Sequence, residues 1–150
     1  MKIANQEYKR KVLALLELEV KLYKETRHAL DEEIITAVWE KSASREDIAV
    51  LPGRSGRTSD PTAKKAMQIY SSAVIGELDK RVRAIERAME EFCAKDAERR
   101  RSFIVLRFWD SRYTNTGIAM KLSVGEATVR RWRSELLVLV AMYLGWRLTP

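Results

Sequence analysis

The chain has 150 residues, of which 46% are hydrophobic and 33% charged, and its net charge at pH 7 is +7. This balance allows a buried core and excludes a disordered chain, while a single cysteine and a single histidine exclude an internal disulfide and a Cys/His zinc site. No signal-peptide pattern is present, and the longest strongly apolar run, residues 136–144, is well below the ~20 residues of a membrane span, so we expect a reducing cytoplasm and no membrane partner.

The first predicted element is helical and runs from about residue 5 to residue 41. Apolar residues recur there at three- and four-residue steps, with Lys and Glu between them. The spacing loosens near residues 27–31, so the pattern is compatible with one long helix or with two. Carboxylates such as Glu17, Glu19 and Glu25 are interpreted as solvated helix faces. Residues 42–60 hold Pro52, Gly53, Gly56 and four serines, and they are expected to form a long mobile loop in which Arg54 and Arg57 are weak candidates for phosphate contact.

The second predicted element is a long helix, Pro61–Cys93. Asp60 is a suitable cap and proline suits the first helical position. At ~1.5 Å per residue the helix is about 50 Å long, too long to bury one face within a chain of this size. Residues 1–94 are therefore expected to form a helical hairpin that pairs internally, with a second subunit, or with both, and that includes a candidate oligomerisation region. The apolar stripe of this helix comprises Ala66, Tyr70, Val74, Leu78, Val82, Ile85, Met89 and Phe92.

Residues 95–150 carry most of the positive charge and predict a helix-turn-helix. They hold 11 Lys/Arg and 5 Asp/Glu, against 17 and 16 in residues 1–94, which is typical of a localised polyanion footprint. After Asp96, a suitable cap, we expect a helix over residues 98–109 and a polar break at 110–113. A short helix follows, with Ile118, Ala119 and Leu122 facing inward. A tight turn at 122–125, with Val124 packed into the core, leads to a second helix anchored by Val129 and Trp132. A recognition helix presents its first residues to base edges in the major groove, while the preceding helix crosses the backbone.

Side-chain chemistry suggests a role for several residues of the last helix. Arg130 can donate two hydrogen bonds to guanine, Glu126 can accept from cytosine, and the Ala127 methyl can contact thymine. For any single one of these residues, a solvated helix face is an equally good interpretation. Contacts to phosphates determine position and affinity rather than sequence preference, and we expect them from Arg112, Lys121, Arg131 and Arg133. The remaining residues expected at double-stranded DNA are Thr114, Gly125 and Thr128.

Two family resemblances extend this interpretation. The run Glu98-Arg99, Leu106-Arg107-Phe108, Thr114, Ile118-Ala119, Leu122-Ser123-Val124 and Thr128-Val129-Arg130-Arg131 is similar to region 4 of bacterial sigma factors, which reads the −35 promoter element. Ser123 stands where that region usually has glycine, and Gly125 stands where it usually has a capping serine. The run Gly56-Arg57-Thr58-Ser59-Asp60-Pro61-Thr62-Ala63, followed by a long helix and a sigma-like module, resembles the RinA/ArpU group of phage transcriptional activators. This second resemblance implies promoter DNA and host RNA polymerase as partners, and activation of phage late or packaging genes.

The sequence therefore predicts an all-α fold, in which a long N-terminal helical hairpin is followed by a C-terminal sigma region 4-like helix-turn-helix. The leading hypothesis is a sequence-specific transcriptional regulator. One alternative is the small DNA-recognition subunit of a phage packaging terminase, and another is an adaptor that docks on polymerase without touching DNA. No phosphate-cradling glycine loop or nucleophile–base pair is apparent, so we expect no catalytic residue, cofactor or metal, and an enzyme is the least favoured class.

Overall fold

A computed structural model describes residues 2–46 and 61–150 of the chain, which are helical with no β-strand, confirming the predicted all-α class. None of the described helices is long and apolar enough to cross a membrane. The helices are α1 (Lys2–Lys21), α2 (Tyr23–Glu46), α3 (Pro61–Cys93), α4 (Ala97–Ile104), α5 (Asn115–Leu122) and α6 (Glu126–Leu144), and α4 continues into a short π-helix (Val105–Trp109).

The first helical region is interrupted at Leu22 rather than near residues 27–31. The interruption is slight, because the Leu22 amide still donates to the Leu18 carbonyl at 2.9 Å. At its other end α2 continues to Glu46, so the first residues of the expected loop are helical. There the Ser42 hydroxyl donates to the Val38 carbonyl at 3.1 Å, a bond that lets serine sit within a helix. The rest of that loop, with Arg54, Arg57 and the proposed cap Asp60, lies outside the described residues.

The chain divides into two compact units, which differ from the expected division at residue 94. The first unit comprises Met1–Lys24 and Arg81–Pro150, and the second comprises Glu25–Lys80. The difference arises because α1 packs against α6 and the π-helix, and because the last turns of α3 enter the same core. The C-terminal helices therefore share a core with α1 and with the last turns of α3.

The core of the first unit is built around three aromatic side chains. The Phe103 ring lies 5.9 Å from that of Phe92 and 5.6 Å from that of Trp132, the second pair edge to face, which is a favourable arrangement for aromatic rings. From α1, Leu16 and Val20 are fully buried in the same cluster. The later part of α6 is apolar on more than one face, and this core covers Leu136, Leu137, Val140, Ala141 and Leu144.

Candidate nucleic-acid interface

Helix α5 and helix α6 are joined by a turn of three residues, 123–125. The Thr114 hydroxyl accepts from the Gly117 amide at 3.2 Å and so caps the start of α5. At the end of α5, Ser123 adopts left-handed backbone angles (φ 53°, ψ 46°), and the Val124 amide bonds the Ala119 carbonyl at 3.0 Å. The left-handed residue reverses the chain direction and satisfies the last carbonyls of α5. Thr114 therefore has a structural role in this turn region.

The conformational demand in this turn falls on Ser123 rather than on Gly125. Gly125 has φ −76° and ψ 154°, which any residue adopts, and an added Cβ there would have no atom within 4 Å. Gly125 provides no side-chain cap for α6. Ser123 is the only non-glycine residue with positive φ in the described part of the chain, at the position where the resembled family has glycine.

Packing fixes α5 and α6 on one side only. Ile118 and Ala119 of α5 are buried, as are Val129 and Trp132 of α6, and all four belong to the core of the first unit. Val124 of the turn packs partly against the same core. These are the residues that the sequence predicted to face inward, so the inward side of both helices is confirmed.

The opposite side of α6 is exposed at its start. Ala127, Arg130 and Arg131 are all exposed. The Arg130 side chain retains 68% of its accessible surface, and its Nη2 lies 3.4 Å from Glu126 Oε2 one turn earlier. Arg131 has no hydrogen bond or ion pair with any residue that the structure describes. Arg130 and Arg131, two of the arginines predicted to face DNA, are thus directed away from the core.

Glu126 connects the starts of the two helices. Its Oε1 accepts from the Thr116 hydroxyl of α5 at 2.6 Å, while Oε2 faces Arg130. Both oxygens therefore already have a partner, and a contact with cytosine must use a remaining lone pair. Thr116 was missed by sequence reasoning, because a threonine in the first turn of a helix carries no signal of a partner ten residues away. Glu126 also lies in the first turn of α6, where its charge stabilises the helix dipole.

Arg133, which the sequence suggested for phosphate contact, is paired with a carboxylate of α1 in this structure. Its Nε donates to Glu17 Oε2 at 3.0 Å, and its Nη2 contacts the same oxygen. Glu17 Oε1 lies 3.0 Å from Arg107 Nη1 and 3.2 Å from Lys21 Nζ. The Glu17 side chain is only 13% exposed, so its interpretation as a solvated residue was wrong. Arg133 ties α6 to α1 through this carboxylate.

The charge state of Glu17 follows from these neighbours. Burial favours the neutral carboxyl, but the hydrogen bond from Arg133 and the charges of Arg107 and Arg133 outweigh burial. The pKa of Glu17 is consequently held below its ordinary value. The carboxylate stays ionised at neutral pH and holds the cationic side chains of three elements together.

The other candidate cations lie on the connection before α5 and at the end of α5. Arg112 forms a bidentate pair with Asp110, at 2.8 and 3.1 Å, yet 81% of its side chain stays exposed. That hydrogen bond is the main reason that the pKa of Asp110 is lowered and that of Arg112 is raised. Lys121 Nζ donates to the Tyr113 hydroxyl at 2.9 Å and lies 4.2 Å from the centre of the Tyr113 ring.

Thr128 of α6, also predicted at the DNA contact, is half-buried, and its amide donates to the Gly125 carbonyl at 3.0 Å.

Arg100 was not identified from the sequence and is the most buried charged residue of the first unit. Its Nη1 donates to the Phe92 carbonyl at 2.9 Å and to Glu135 Oε1 at 3.0 Å. The guanidinium carbon lies 4.5 Å from the Phe92 ring centre and 5.3 Å from that of Trp132. In the run Arg99-Arg100-Arg101, nothing in the sequence distinguishes the central residue. Part of the positive excess is thus used inside the unit rather than at its surface.

Comparisons with protein-family models, curated proteins and solved structures found no match to this chain. The resemblances to sigma region 4 and to the RinA/ArpU group therefore stay predictions that depend on the residues quoted for them. The geometry leaves Ala127, Arg130 and Arg131 as an exposed group at the start of α6, with the exposed cations Arg112 and Lys121 in the same unit.

Proposed function

We propose that this protein is a sequence-specific regulator of transcription that binds double-stranded DNA through the start of α6. The observation that carries the proposal is the division of the first turns of α6 into two sides. Val129 and Trp132 are buried, whereas Ala127, Arg130 and Arg131 are exposed. A helix that is packed against the core on one side and exposed on the other is suited to insertion into a major groove, because the side chains that contact bases are positioned by a rigid element.

The pair between Arg130 and Glu126 does not prevent recognition of a base. An exposed i,i+4 pair is worth about 0.3–0.5 kcal/mol, whereas a bidentate contact to guanine contributes ~1–3 kcal/mol of discrimination. Exchanging the first contact for the second is therefore favourable. Until DNA binds, Glu126 holds the Arg130 side chain near the start of the helix. Arg131, which lacks a partner among the described residues, is assigned to phosphate.

The regulatory part of the proposal is supported by the family resemblances. Region 4 of sigma factors reads promoter DNA, and the RinA/ArpU group activates late or packaging genes of phages. On that basis the partners are promoter DNA and host RNA polymerase in the bacterial cytoplasm, and the effect is activation. The net charge of +6 over residues 95–150 supports attraction to the phosphate backbone.

The proposal is tested by selecting duplexes from a random library with the full chain, then measuring affinity for a selected and a scrambled duplex over a range of salt. We expect preference for the selected duplex by a factor of about 10³ or more. Arg130→Ala should cost ~1–3 kcal/mol on the selected duplex and relax the preference at one base position. Arg131→Ala should weaken both duplexes similarly and reduce the salt slope by about one.

The matched control is Arg147→Ala, which removes one positive charge from the same unit beyond the opposite end of α6. It should alter binding far less than either variant at the start of the helix, because screening weakens charges beyond about 10 Å. Equal affinity for selected and scrambled duplexes would contradict sequence-specific recognition. An effect of Arg147→Ala as large as that of Arg130→Ala would contradict the assignment of the reading surface to α6.

A second candidate is the small DNA-recognition subunit of a packaging machine, which is favoured by the exposed apolar helices of the second unit. In such a subunit, each chain both binds DNA and assembles with other copies into a ring. Mass in solution discriminates between the candidates, because a ring of eight or more subunits favours packaging and a monomer or dimer favours transcription. Binding to polymerase without affinity for DNA at low salt would instead indicate the adaptor.

A further inference from the structure

The apolar stripe of α3 has a different environment in each of the two units through which it runs. In the first unit, Val82, Ile85 and Phe92 are at most 1% exposed. In the second unit, Tyr70 of the same stripe is 67% exposed, and its neighbour Met67 is 58% exposed. Apolar residues recur at helical spacing on both sides of residue 80, but in the second unit Val74 and Leu78 of the stripe are half-buried. The exposed apolar surface of α3 therefore lies near its start, at Met67 and Tyr70.

Helix α2 presents a second group of exposed apolar side chains. Ile34, Ile35, Val38 and Trp39 are 42%, 55%, 58% and 71% exposed. At 100° per residue, positions i, i+1, i+4 and i+5 lie side by side on one face of a helix. Of the large apolar residues described in the second unit, only Leu30 is fully buried. We call Ile34, Ile35, Val38 and Trp39 the α2 stripe, and Met67 and Tyr70 the α3 stripe.

Within the second unit, α2 and α3 line a cavity of about 280 Å³ whose side chains are mostly small, polar or charged. Ile75 of α3 is the large apolar residue in a lining that otherwise comprises Ala37, Glu40, Lys41, Gln68, Ser71 and Ser72. A self-contained hairpin places its large apolar residues between its helices and its polar residues outside. In this unit Leu30 is buried and Val74, Ile75 and Leu78 are half-buried, but the α2 stripe and the α3 stripe stay exposed, which indicates that the stripe residues pack against something outside their own unit.

The exposed surface is large enough for a stable contact. The exposed fractions of the six residues, summed over both stripes, amount to on the order of 800 Å² per chain, which is similar to the area that each partner buries in a standard interface. Charge also distinguishes the stripes. Asp31, Glu32 and Glu33 directly precede the α2 stripe, and Lys64 and Lys65 lie just before the α3 stripe.

We propose that these stripes are covered by a second copy of this chain, with the α2 stripe of one copy packed against the α3 stripe of the other. When the two helices lie parallel, the apolar groups and the opposite charges come into register together. Lys64 and Lys65 form no ion pair with any residue that the structure describes, so they are available to the partner's carboxylates. Glu32 is exposed and pairs only with His28 one turn earlier, at 3.6 Å.

The test is the mass of the full chain by sedimentation equilibrium, over dilution from a concentration on the order of 100 μM. We expect the wild type to have at least twice the chain mass of 17.3 kDa. Trp39→Glu and Tyr70→Glu should each reduce the mass to that of one chain. Met120→Glu is the matched control, since Met120 is 77% exposed in the first unit, and it should leave the mass unchanged.

A charge exchange tests the pairing of the two stripes without removing apolar surface. Lys64→Glu with Lys65→Glu should weaken association about tenfold or more, and adding Glu32→Lys with Glu33→Lys to the same chain should restore it. A wild type that remains at 17.3 kDa would overturn the proposal. Association that persists in both glutamate variants would also overturn it. Far-UV circular dichroism of each variant shows that its helices are retained. DNA affinity does not enter these measurements, so they are independent of the proposed function.

Discussion

Replacing Glu17 by glutamine removes the charge that ties α1 to α6 and to the π-helix. Breaking a buried ion pair costs about 3–5 kcal/mol, whereas an exposed pair contributes less than about 1 kcal/mol. Glu17 is 13% exposed and its partners Arg107 and Arg133 are 21% and 30% exposed, so the pair lies between these limits. Glutamine keeps one acceptor oxygen. We therefore expect Glu17→Gln to lower the free energy of unfolding by about 2 kcal/mol at pH 7.

The effect of Glu17→Gln should depend on pH in a defined direction. Because folding lowers the pKa of Glu17, its contribution to stability is fully present above the unfolded pKa of about 4.3. That contribution is lost as the pH falls through the still lower pKa of the folded state. The difference in unfolding free energy between the wild type and the variant should thus be constant from neutral pH to about pH 5 and shrink on further acidification.

Urea unfolding followed by circular dichroism measures this difference, with protein concentration matched because association also stabilises the folded chain. Glu7→Gln is the control, since Glu7 lies on the same helix and pairs with Lys11 but is 64% exposed. That variant should differ from the wild type by less than about 0.5 kcal/mol. A cost below about 0.5 kcal/mol for Glu17→Gln at pH 7, or a cost unchanged at about pH 2.5, would refute the reasoning.

Three further substitutions test other parts of the first unit by the same unfolding assay. Ser123→Gly should stabilise the chain by up to about 1 kcal/mol, because glycine relieves the left-handed strain but loses more entropy on folding; destabilisation would contradict that geometry. Trp109→Phe should cost about 1–2 kcal/mol, since it removes the indole donor 3.0 Å from the Val20 carbonyl; no loss would mean that this bond is replaced by water. Arg100→Lys should cost about 1–3 kcal/mol, because an ammonium cannot both stack on Phe92 and reach its carbonyl, whereas Arg101→Lys at an exposed neighbour should be nearly neutral. Equal effects of the two lysine variants would argue against the buried role of Arg100.

Much of the local structure follows from residue spacing and helix chemistry. The proline at position 61 and the apolar stripe that follows it predicted a helix over Pro61–Cys93, which are the bounds of α3, because one amphipathic face can be recognised without knowing what covers it. Asp96 caps α4 as its residue type suggested, with its carboxylate 3.4 Å from the Arg99 amide. The inward residues of α5 and α6 were also correct. These features depend on interactions within a few residues, which the order of residues already contains.

The sequence by itself thus determined the all-α class, the order of the helices and the buried side of the last two. Only the tertiary structure decided which charges are used inside the unit, because their partners come from distant parts of the chain. Glu17 is 116 residues from Arg133, and Arg100 is 35 residues from Glu135. The spacing of apolar residues indicates which face of a helix is buried. It contains no information on which oppositely charged side chain will lie beside a given charged residue after folding. For that reason Arg133 and Arg131, two residues apart and chemically identical, have different environments: one is held by a buried carboxylate, and the other is exposed at the start of α6.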